Sequence, residues 1–245
     1  MAELGVSRSQ SIAFWTLFAI SAALAVGTIV VMGPSVELPP EVAGGPVRTK
    51  ATWRLLIQPV VMLLVWLAFQ SGARANLSPG CFVLIGVGDR TGFSDEDADV
   101  ARASGTFART LINAALAWAA LLLVMQVIAV GRLAGAAPFA SLDGSTVVRG
   151  FFAAAGVIEM VMGNAWPKSA PAAARVGDAM RAHRMGRFRG WWMTLNGLTV
   201  VVCALMLPVK LVFPAYLALW LTKVVALNVA NAVYAGPSSG AAGSR

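Results

Sequence analysis

Residues 168–189 read KSAPAAARVGDAMRAHRMGRFR, and this short stretch joins two long apolar segments of the chain. It holds six Lys or Arg residues, one His and a single acid, Asp178. Short connections rich in Lys and Arg stay on the cytoplasmic side of a membrane protein. This stretch, the basic connector, therefore predicts which way the whole chain faces.

Composition indicates the broad class of protein. Hydrophobic residues make up 58% of the 245 and charged residues 12%, against roughly 45 to 50% and about 25% in soluble domains. The formal charge of +8 resembles that of a nucleic-acid binder. The cations lie in connections between apolar runs, however, where orientation and contact with anionic lipid explain them. We expect a lipid bilayer as partner, and no nucleic acid.

Residues able to hold a metal ion or perform catalysis are scarce. Cys81 and Cys203 are the only cysteines and His183 is the only histidine. Neither a disulfide framework nor a Cys-based or multi-histidine metal site is expected from so few ligands. No nucleophile is accompanied by a base and an orienting group. The sequence therefore predicts no metal, no cofactor and no enzyme.

The apolar runs predict an all-α integral membrane bundle of about six helices, forming one domain over residues 1–235. A run of about 20 residues is long enough to cross a bilayer as a helix. The six runs are 12–32, 55–71, 106–131, 150–166, 190–207 and 211–234. The first is longer than the apolar region of a signal peptide and lacks a clear cleavage pattern, so we expect it to be retained. Residues 236–245 are rich in Gly, Ser and Ala and are predicted to be a disordered tail.

The distribution of cations tests this arrangement. With the basic connector inside, both termini are cytoplasmic, twelve Lys or Arg residues lie inside and six lie outside. That excess agrees with the positive-inside rule. The first outer loop, with Arg48, Lys50 and Arg54, fits it least well. We expect a multi-pass protein of the cell (inner) membrane with its amino and carboxyl termini cytoplasmic.

Glu159 and Lys223 each lie near the middle of a predicted membrane helix, where an unpaired charge costs at least ~2.5 kcal/mol. Antiparallel helices place both at similar depth, so a mutual pair is reasonable. One hypothesis is a structural pair that fixes packing, and the other is a proton or ligand site. The scarcity of further acids or histidines at that depth favours the structural pair. Asn228 and Asn231 share one helix face close to Lys223 and extend this polar intramembrane site.

Other polar and small residues at membrane depth are predicted to serve packing. Amide hydrogen bonds between helices average ~0.6 kcal/mol, and small residues let helices approach closely. The amides are Gln58, Asn113, Gln126, Asn164 and Asn196, and the small residues are Ala114, Ala115, Ala117, Ala119 and Ala120.

The end of the basic connector predicts a cationic surface. If residues 172–189 are helical, five side chains are close enough to form a cytoplasmic face: Arg181, His183, Arg184, Arg187 and Arg189. Attraction to anionic headgroups, at about 1 kcal/mol per cation, is one interpretation of this face. Docking of a cytoplasmic protein is the other.

Three stretches carry a resemblance to a known family. The first stretch, in the first loop, contains Leu38-Pro39-Pro40-Glu41, Gly44-Gly45-Pro46 and Arg48-Thr49-Lys50. The second, at the end of the fourth helix, is Gly163-Asn164-Ala165-Trp166-Pro167-Lys168. The third, which follows it, contains His183-Arg184, Gly190 and Asn196-Gly197-Leu198. In these the chain resembles the SdpI-type bacterial membrane proteins, whose founding member protects a cell against a secreted peptide toxin.

The resemblance implies a divergent immunity or signalling protein that binds a peptide toxin or a cytoplasmic regulatory protein. It places Gly163, Asn164, Pro167 and Lys168 in a family motif. The G-I-R-T-P-W-T-like motif that usually follows in the family is absent from residues 170–177. Two alternatives stay open: a small transporter or membrane enzyme that uses Glu159 and Lys223, and an accessory subunit of a larger membrane complex. The oligomeric state is unknown from the sequence.

Overall fold

The computed structural model describes residues 6–38, 48–75, 98–165 and 179–235. Most of them belong to six long helices, each overlapping one of the predicted helices. These are α1 (Arg8–Met32), α2 (Ile57–Ala75), α3 (Ala98–Leu133), α4 (Gly144–Ala165), α5 (Ala179–Met206) and α6 (Val209–Ala235). The prediction of a mostly helical bundle is confirmed. The predicted tail at 236–245 lies outside the described residues.

Within the described residues, five helices are long and apolar enough to cross a membrane. The five segments are Arg8–Met32, Thr52–Ser71, Ala108–Leu133, Gly144–Ala165 and Val209–Leu227. Their outer faces expose large apolar side chains such as Val31 and Val161, at 83% and 65% exposure. Surfaces of this extent are rare on soluble monomers and suit contact with lipid. α5 is not among the five, because it opens with several cations and carries Trp191, Trp192 and Asn196.

A short β-hairpin follows α1, and sequence reasoning did not predict it. α1 ends at Gly33, whose φ of 79° is readily adopted only by glycine. Strand β1 (Ser35–Leu38) then pairs antiparallel with β2 (Arg48–Ala51), in the register that joins Ser35 to Ala51. A 3-10 turn, Thr52–Leu56, leads into α2. The Thr52 hydroxyl donates to the Gly33 carbonyl at 2.6 Å, which fastens the hairpin to the end of α1.

α1, α2 and α3 pack against one another and form the amino-terminal half of the bundle. Its core is built on Phe14 and Trp66, whose rings stack with centroids 4.2 Å apart. Of the five small residues proposed for close approach in α3, Ala114, Ala115 and Ala119 are buried, whereas Ala117 is half-buried and Ala120 exposed. The face of α3 on which buried alanines allow close helix approach is therefore narrower than its alanine content suggests.

A buried amide joins α3 to α1 and to the 3-10 turn that leads into α2. Gln126 of α3 is fully buried, and its Nε2 donates to the carbonyls of Ser21 at 2.9 Å and Leu55 at 3.4 Å. The Ser21 hydroxyl donates to Gln126 Oε1. Near one end of the bundle, Gln10 Nε2 donates to Asn113 Oδ1 at 2.9 Å. These amides act as the packing contacts that were predicted for them.

α4 packs most extensively against α5, and the two backbones touch at what we call the glycine crossing (Gly156, Gly163, Thr194 and Gly197). A Cβ atom added at Gly156 would lie 2.6 Å from the Gly197 carbonyl oxygen, and one added at Gly163 would lie 2.6 Å from the Thr194 nitrogen. Real Cβ atoms do not approach backbone so closely. Only glycine is compatible with this spacing, so the crossing fixes how far apart and at what rotation α4 and α5 lie.

The amino-terminal end of α4 and the carboxyl-terminal end of α5 meet at one side of the bundle, and both are capped. Asp143 precedes α4, and its Oδ2 accepts hydrogen bonds from the Ser145 hydroxyl and, at 3.3 Å, from the Thr146 N–H. The Ser145 hydrogen bond is the main reason that the pKa of Asp143 is lowered from its ordinary value of 3.8. Arg149 donates to the carbonyls of Ala204, Leu205 and Leu207 at 2.7 to 2.8 Å. These are the carbonyls that the end of α5 leaves without helical partners.

Candidate functional site

Glu159 lies on the buried face of α4, between the two glycines of the crossing. Gly156 and Gly163 are three residues before it and four residues after it, so all three share one side of the helix. Glu159 is 5% exposed. Because the glycine crossing holds α4 in one rotation, it also holds the carboxyl group in the interior of the carboxyl-terminal half.

Lys223 of α6 meets this carboxyl group. Its Nζ lies 2.5 Å from Glu159 Oε1, and the two side chains are 13% and 6% exposed. The structure therefore brings together the two charges that sequence reasoning singled out, and the contact connects α4 to α6. In a low-dielectric interior each charge compensates the desolvation of the other.

The third helix of this half adds an amide to the same region. Asn196 of α5 is buried, and its Nδ2 donates to the Leu219 carbonyl of α6 at 3.0 Å. Leu219 precedes Lys223 by one helical turn, so α6 is bound to both α4 and α5 at neighbouring levels. The Tyr216 ring packs on Phe152 with centroids 5.0 Å apart, one further turn along α6. Glu159, Lys223 and Asn196 form what we call the polar junction.

Two acceptor atoms of the polar junction are buried without a hydrogen-bond partner among the described residues. They are Glu159 Oε2 and Asn196 Oδ1. A buried acceptor without a partner is destabilising by about 1 to 3 kcal/mol. The junction thus retains two hydrogen-bond acceptors, one on the carboxylate and one on the amide, that the described residues do not use. Within the described residues no group of three or more His, Cys, Asp or Glu residues is arranged to hold a metal ion.

The remaining predicted members of the polar site are described only in part. Asn228 and Asn231 lie in α6 beyond Lys223, and their side chains are outside the described residues. Of the proposed family motif, Gly163 is buried in the glycine crossing and Asn164 is exposed at the end of α4. Pro167 and Lys168 lie outside the described residues.

The predicted cationic face lies on the first turns of α5. The helix begins at Ala179, so positions 181–189 are helical as expected, whereas residues 172–178 lie outside the described range. Arg184 and Arg187 are exposed, and Arg189 is half-buried. The side chains of Arg181 and His183 are outside the described residues. Arg184 and Arg187 therefore face the surroundings of the bundle.

Sequence reasoning missed the glycine crossing, although a signal for it is present. Gly156 and Gly163 are seven residues apart in α4, and Gly190 and Gly197 are seven residues apart in α5. Small residues repeated at that interval line one face of a helix and permit close packing in membranes. The alanine content of α3 instead predicts the small-residue contact there. The role of Arg149 was missed as well, because it depends on which helix end lies beside it.

No family model, curated protein or solved structure matches this chain. The resemblance to SdpI-type proteins therefore rests on the residues quoted above.

Proposed function

We propose that the chain is a six-span protein of the bacterial inner membrane that protects or signals by binding, in the manner of SdpI-type immunity proteins. The observation that carries this choice over transport is the direct contact of Lys223 Nζ with Glu159 Oε1 at 2.5 Å. A charge pair of this kind, formed within the bundle and almost wholly buried, suits a fixed scaffold. A protein that binds its partners at the two membrane surfaces needs no proton or ligand site between its helices.

Six spans require that α5 crosses the membrane although it is the least apolar helix. Its contact with α4 supports this, because helices that touch backbone to backbone over Gly156, Gly163 and Gly197 lie at the same depth. Its 28 residues are also sufficient, at about 1.5 Å each, to cross a core of roughly 30 Å.

The topology is tested by labelling single cysteines in intact cells with a membrane-impermeant maleimide. In a Cys81→Ser, Cys203→Ala background, Arg187→Cys should be protected and Ser141→Cys, at the opposite end of the bundle, should react. In inverted vesicles the pattern should reverse. Reaction of Arg187→Cys in intact cells would refute the orientation and with it the proposal.

The β-hairpin supports recognition at the outer face. It gives regular structure to the first loop, and its second strand holds part of a stretch that resembles the family. Glu37, Lys50, Trp53 and Arg54 are exposed on or beside it. Among the described residues no third strand pairs with either edge of this sheet, and a free edge is suited to bind an extended peptide.

Survival of a toxin-sensitive host tests this recognition. Expression of the protein should protect the host, Lys50→Glu with Trp53→Ala should remove protection, and Val31→Ala, a lipid-facing control near the hairpin, should retain it. An unchanged survival curve on expression of the wild-type protein, at verified membrane levels, would argue against an immunity role.

A second candidate function is capture of a cytoplasmic regulator, and the exposure of Arg184 and Arg187 on α5 favours it. A pull-down from the host cytosol should recover a soluble protein with the wild type and not with Arg184→Glu, Arg187→Glu. The transport hypothesis makes a different prediction: Glu159→Gln would abolish substrate uptake in a protein that remains folded.

A further inference from the structure

We propose that the first turns of α5 carry a binding site for one anionic phospholipid, in which arginines hold the phosphate and an aromatic groove holds an acyl chain. The proposal uses the membrane placement of α5 and does not depend on the immunity role. Its starting point is a groove of about 290 Å³ on the outer side of α5. The groove is lined by Phe188, Trp191, Trp192, Thr194, Leu195 and Leu198.

The lining of this groove suits hydrocarbon. Trp191 and Leu195 are 70% and 55% exposed, so the surface is large and open from the side. Thr194 is the only hydroxyl-bearing residue of the lining, and it donates within its own helix to the Gly190 carbonyl at 2.9 Å. The groove therefore offers apolar and aromatic contact to whatever occupies it.

The dimensions of the groove match one leaflet of a bilayer. Phe188 and Leu198 are ten residues apart, which corresponds to about 15 Å along a helix. Half of a hydrocarbon core of roughly 30 Å has the same depth. An acyl chain that runs along α5 from the membrane surface would thus contact the groove over most of its length.

Two exposed arginines lie at the polar end of the same helix face. Arg184 precedes Trp191 by seven residues and Arg187 precedes it by four, spacings that place all three on one side of α5. Guanidinium groups bind phosphate with well-defined geometry, and tryptophan prefers the boundary between headgroups and hydrocarbon. Arginine, tryptophan and groove follow one another in the order in which a phospholipid presents phosphate, glycerol and acyl chain.

This continuity favours a phospholipid over a soluble protein as the occupant. A cytoplasmic protein would reach Arg184 and Arg187, but the groove between Trp191 and Leu198 lies at hydrocarbon depth once α5 is inserted. Positive charge next to an apolar groove selects a molecule that is anionic at one end and apolar along its length. Phosphatidylglycerol has that chemistry, whereas phosphatidylcholine has the same chains without net negative charge.

The test is native mass spectrometry of delipidated protein titrated in detergent with phosphatidylglycerol or phosphatidylcholine. The wild type should retain phosphatidylglycerol in preference, with a single tight binding event. The double variant Arg184→Gln, Arg187→Gln should weaken phosphatidylglycerol binding by roughly 10- to 30-fold, since each cation near the membrane surface contributes about 1 kcal/mol to the binding of an anionic lipid. It should leave phosphatidylcholine binding unchanged. Trp191→Ala should weaken binding of both lipids.

The matched control is Arg8→Gln, Trp15→Ala in α1. This pair has the same seven-residue spacing, and both residues are exposed. It should leave lipid binding as in the wild type, and inorganic phosphate should not compete. Equal retention of both lipids by the wild type, or an equal loss in the α1 control, would overturn the site. So would capture of a soluble protein through Arg184 and Arg187 without any preference for phosphatidylglycerol, which would assign the face to protein docking.

Discussion

In the amino-terminal half, α1, α2 and α3 meet through large side chains such as Phe14 and Trp66 and through a neutral amide, Gln126. In the carboxyl-terminal half, α4 and α5 meet backbone to backbone, and a charged pair joins α4 to α6. Large side chains can repack when one of them changes, whereas touching backbones and a buried charge have no alternative partner. We expect the carboxyl-terminal half to be the less tolerant of substitution.

Removal of one member of the charged pair should have the largest effect. Glu159→Gln or Lys223→Met leaves the other charge buried and uncompensated, which should destabilise the folded protein by about 3 to 5 kcal/mol. Thermal unfolding in detergent, followed by tryptophan fluorescence, measures the loss. The double variant Glu159→Gln, Lys223→Met should recover most of it, because no unpaired charge remains. A double variant as unstable as either single one would mean that the pair is not the connection between α4 and α6.

A side chain inserted into the glycine crossing should have the next largest effect. Gly156→Val places its Cβ against the Gly197 carbonyl, which belongs to a helix backbone and has no room to move away. Overpacking of this kind destabilises by about 1 to 3 kcal/mol. The control is Gly27→Ala in α1, where a Cβ would meet nothing within 4 Å. If both variants unfold at the wild-type temperature, the contrast between the two halves is wrong.

Loss of the buried amide in the amino-terminal half should be milder. Gln126→Leu removes its hydrogen bonds to Ser21 and Leu55 but leaves a side chain of similar size in a core of large residues. Interhelical polar contacts in membranes average ~0.6 kcal/mol and reach about 1.7 kcal/mol. The same thermal assay should therefore show a smaller shift than either change in the carboxyl-terminal half. A shift as large as that of Glu159→Gln would show that the amide contributes as much to the stability of the folded protein as the ion pair does.

The cap of α4 should give the smallest effect and a characteristic dependence on pH. The pKa of Asp143 is lowered in the folded protein, so its carboxylate stabilises the fold above the ordinary value of 3.8. That contribution should be lost as the pH falls from 3.8 through the lower folded pKa. The difference in unfolding temperature between the wild type and Asp143→Asn should shrink between about pH 5 and about pH 3. A constant difference over that range would show that the carboxylate does not act as the cap.

The helices could be located from the sequence because their apolar runs are long. The contact between Glu159 and Lys223 could be predicted because an unpaired charge at membrane depth requires a partner. The apolar run of α5 begins at 190, eleven residues after the helix itself begins at Ala179, because the cations that precede Gly190 lower hydropathy without preventing a helix. The β-hairpin was not predicted, because four-residue strands next to Gly and Pro show little periodicity in the sequence. Its position also depends on the contact of Thr52 with Gly33, which the sequence does not reveal. The role of Arg149 depends on the tertiary pairing of α4 with α5, which no local pattern encodes.

The lengths of α3 and α5 have a consequence for the shape of the protein outside the bilayer. Their 36 and 28 residues correspond to about 54 Å and about 42 Å of helix, against a hydrocarbon core of roughly 30 Å. The apolar part of α3 is its carboxyl-terminal portion, Ala108–Leu133, and the cations of α5 occupy its first turns. The ten residues of α3 that precede Ala108 therefore lie outside its apolar part, and they correspond to about 15 Å of helix. The first turns of α5, on which Arg184 and Arg187 are exposed, likewise precede its apolar part, so both helices are longer than a hydrocarbon core of that thickness requires.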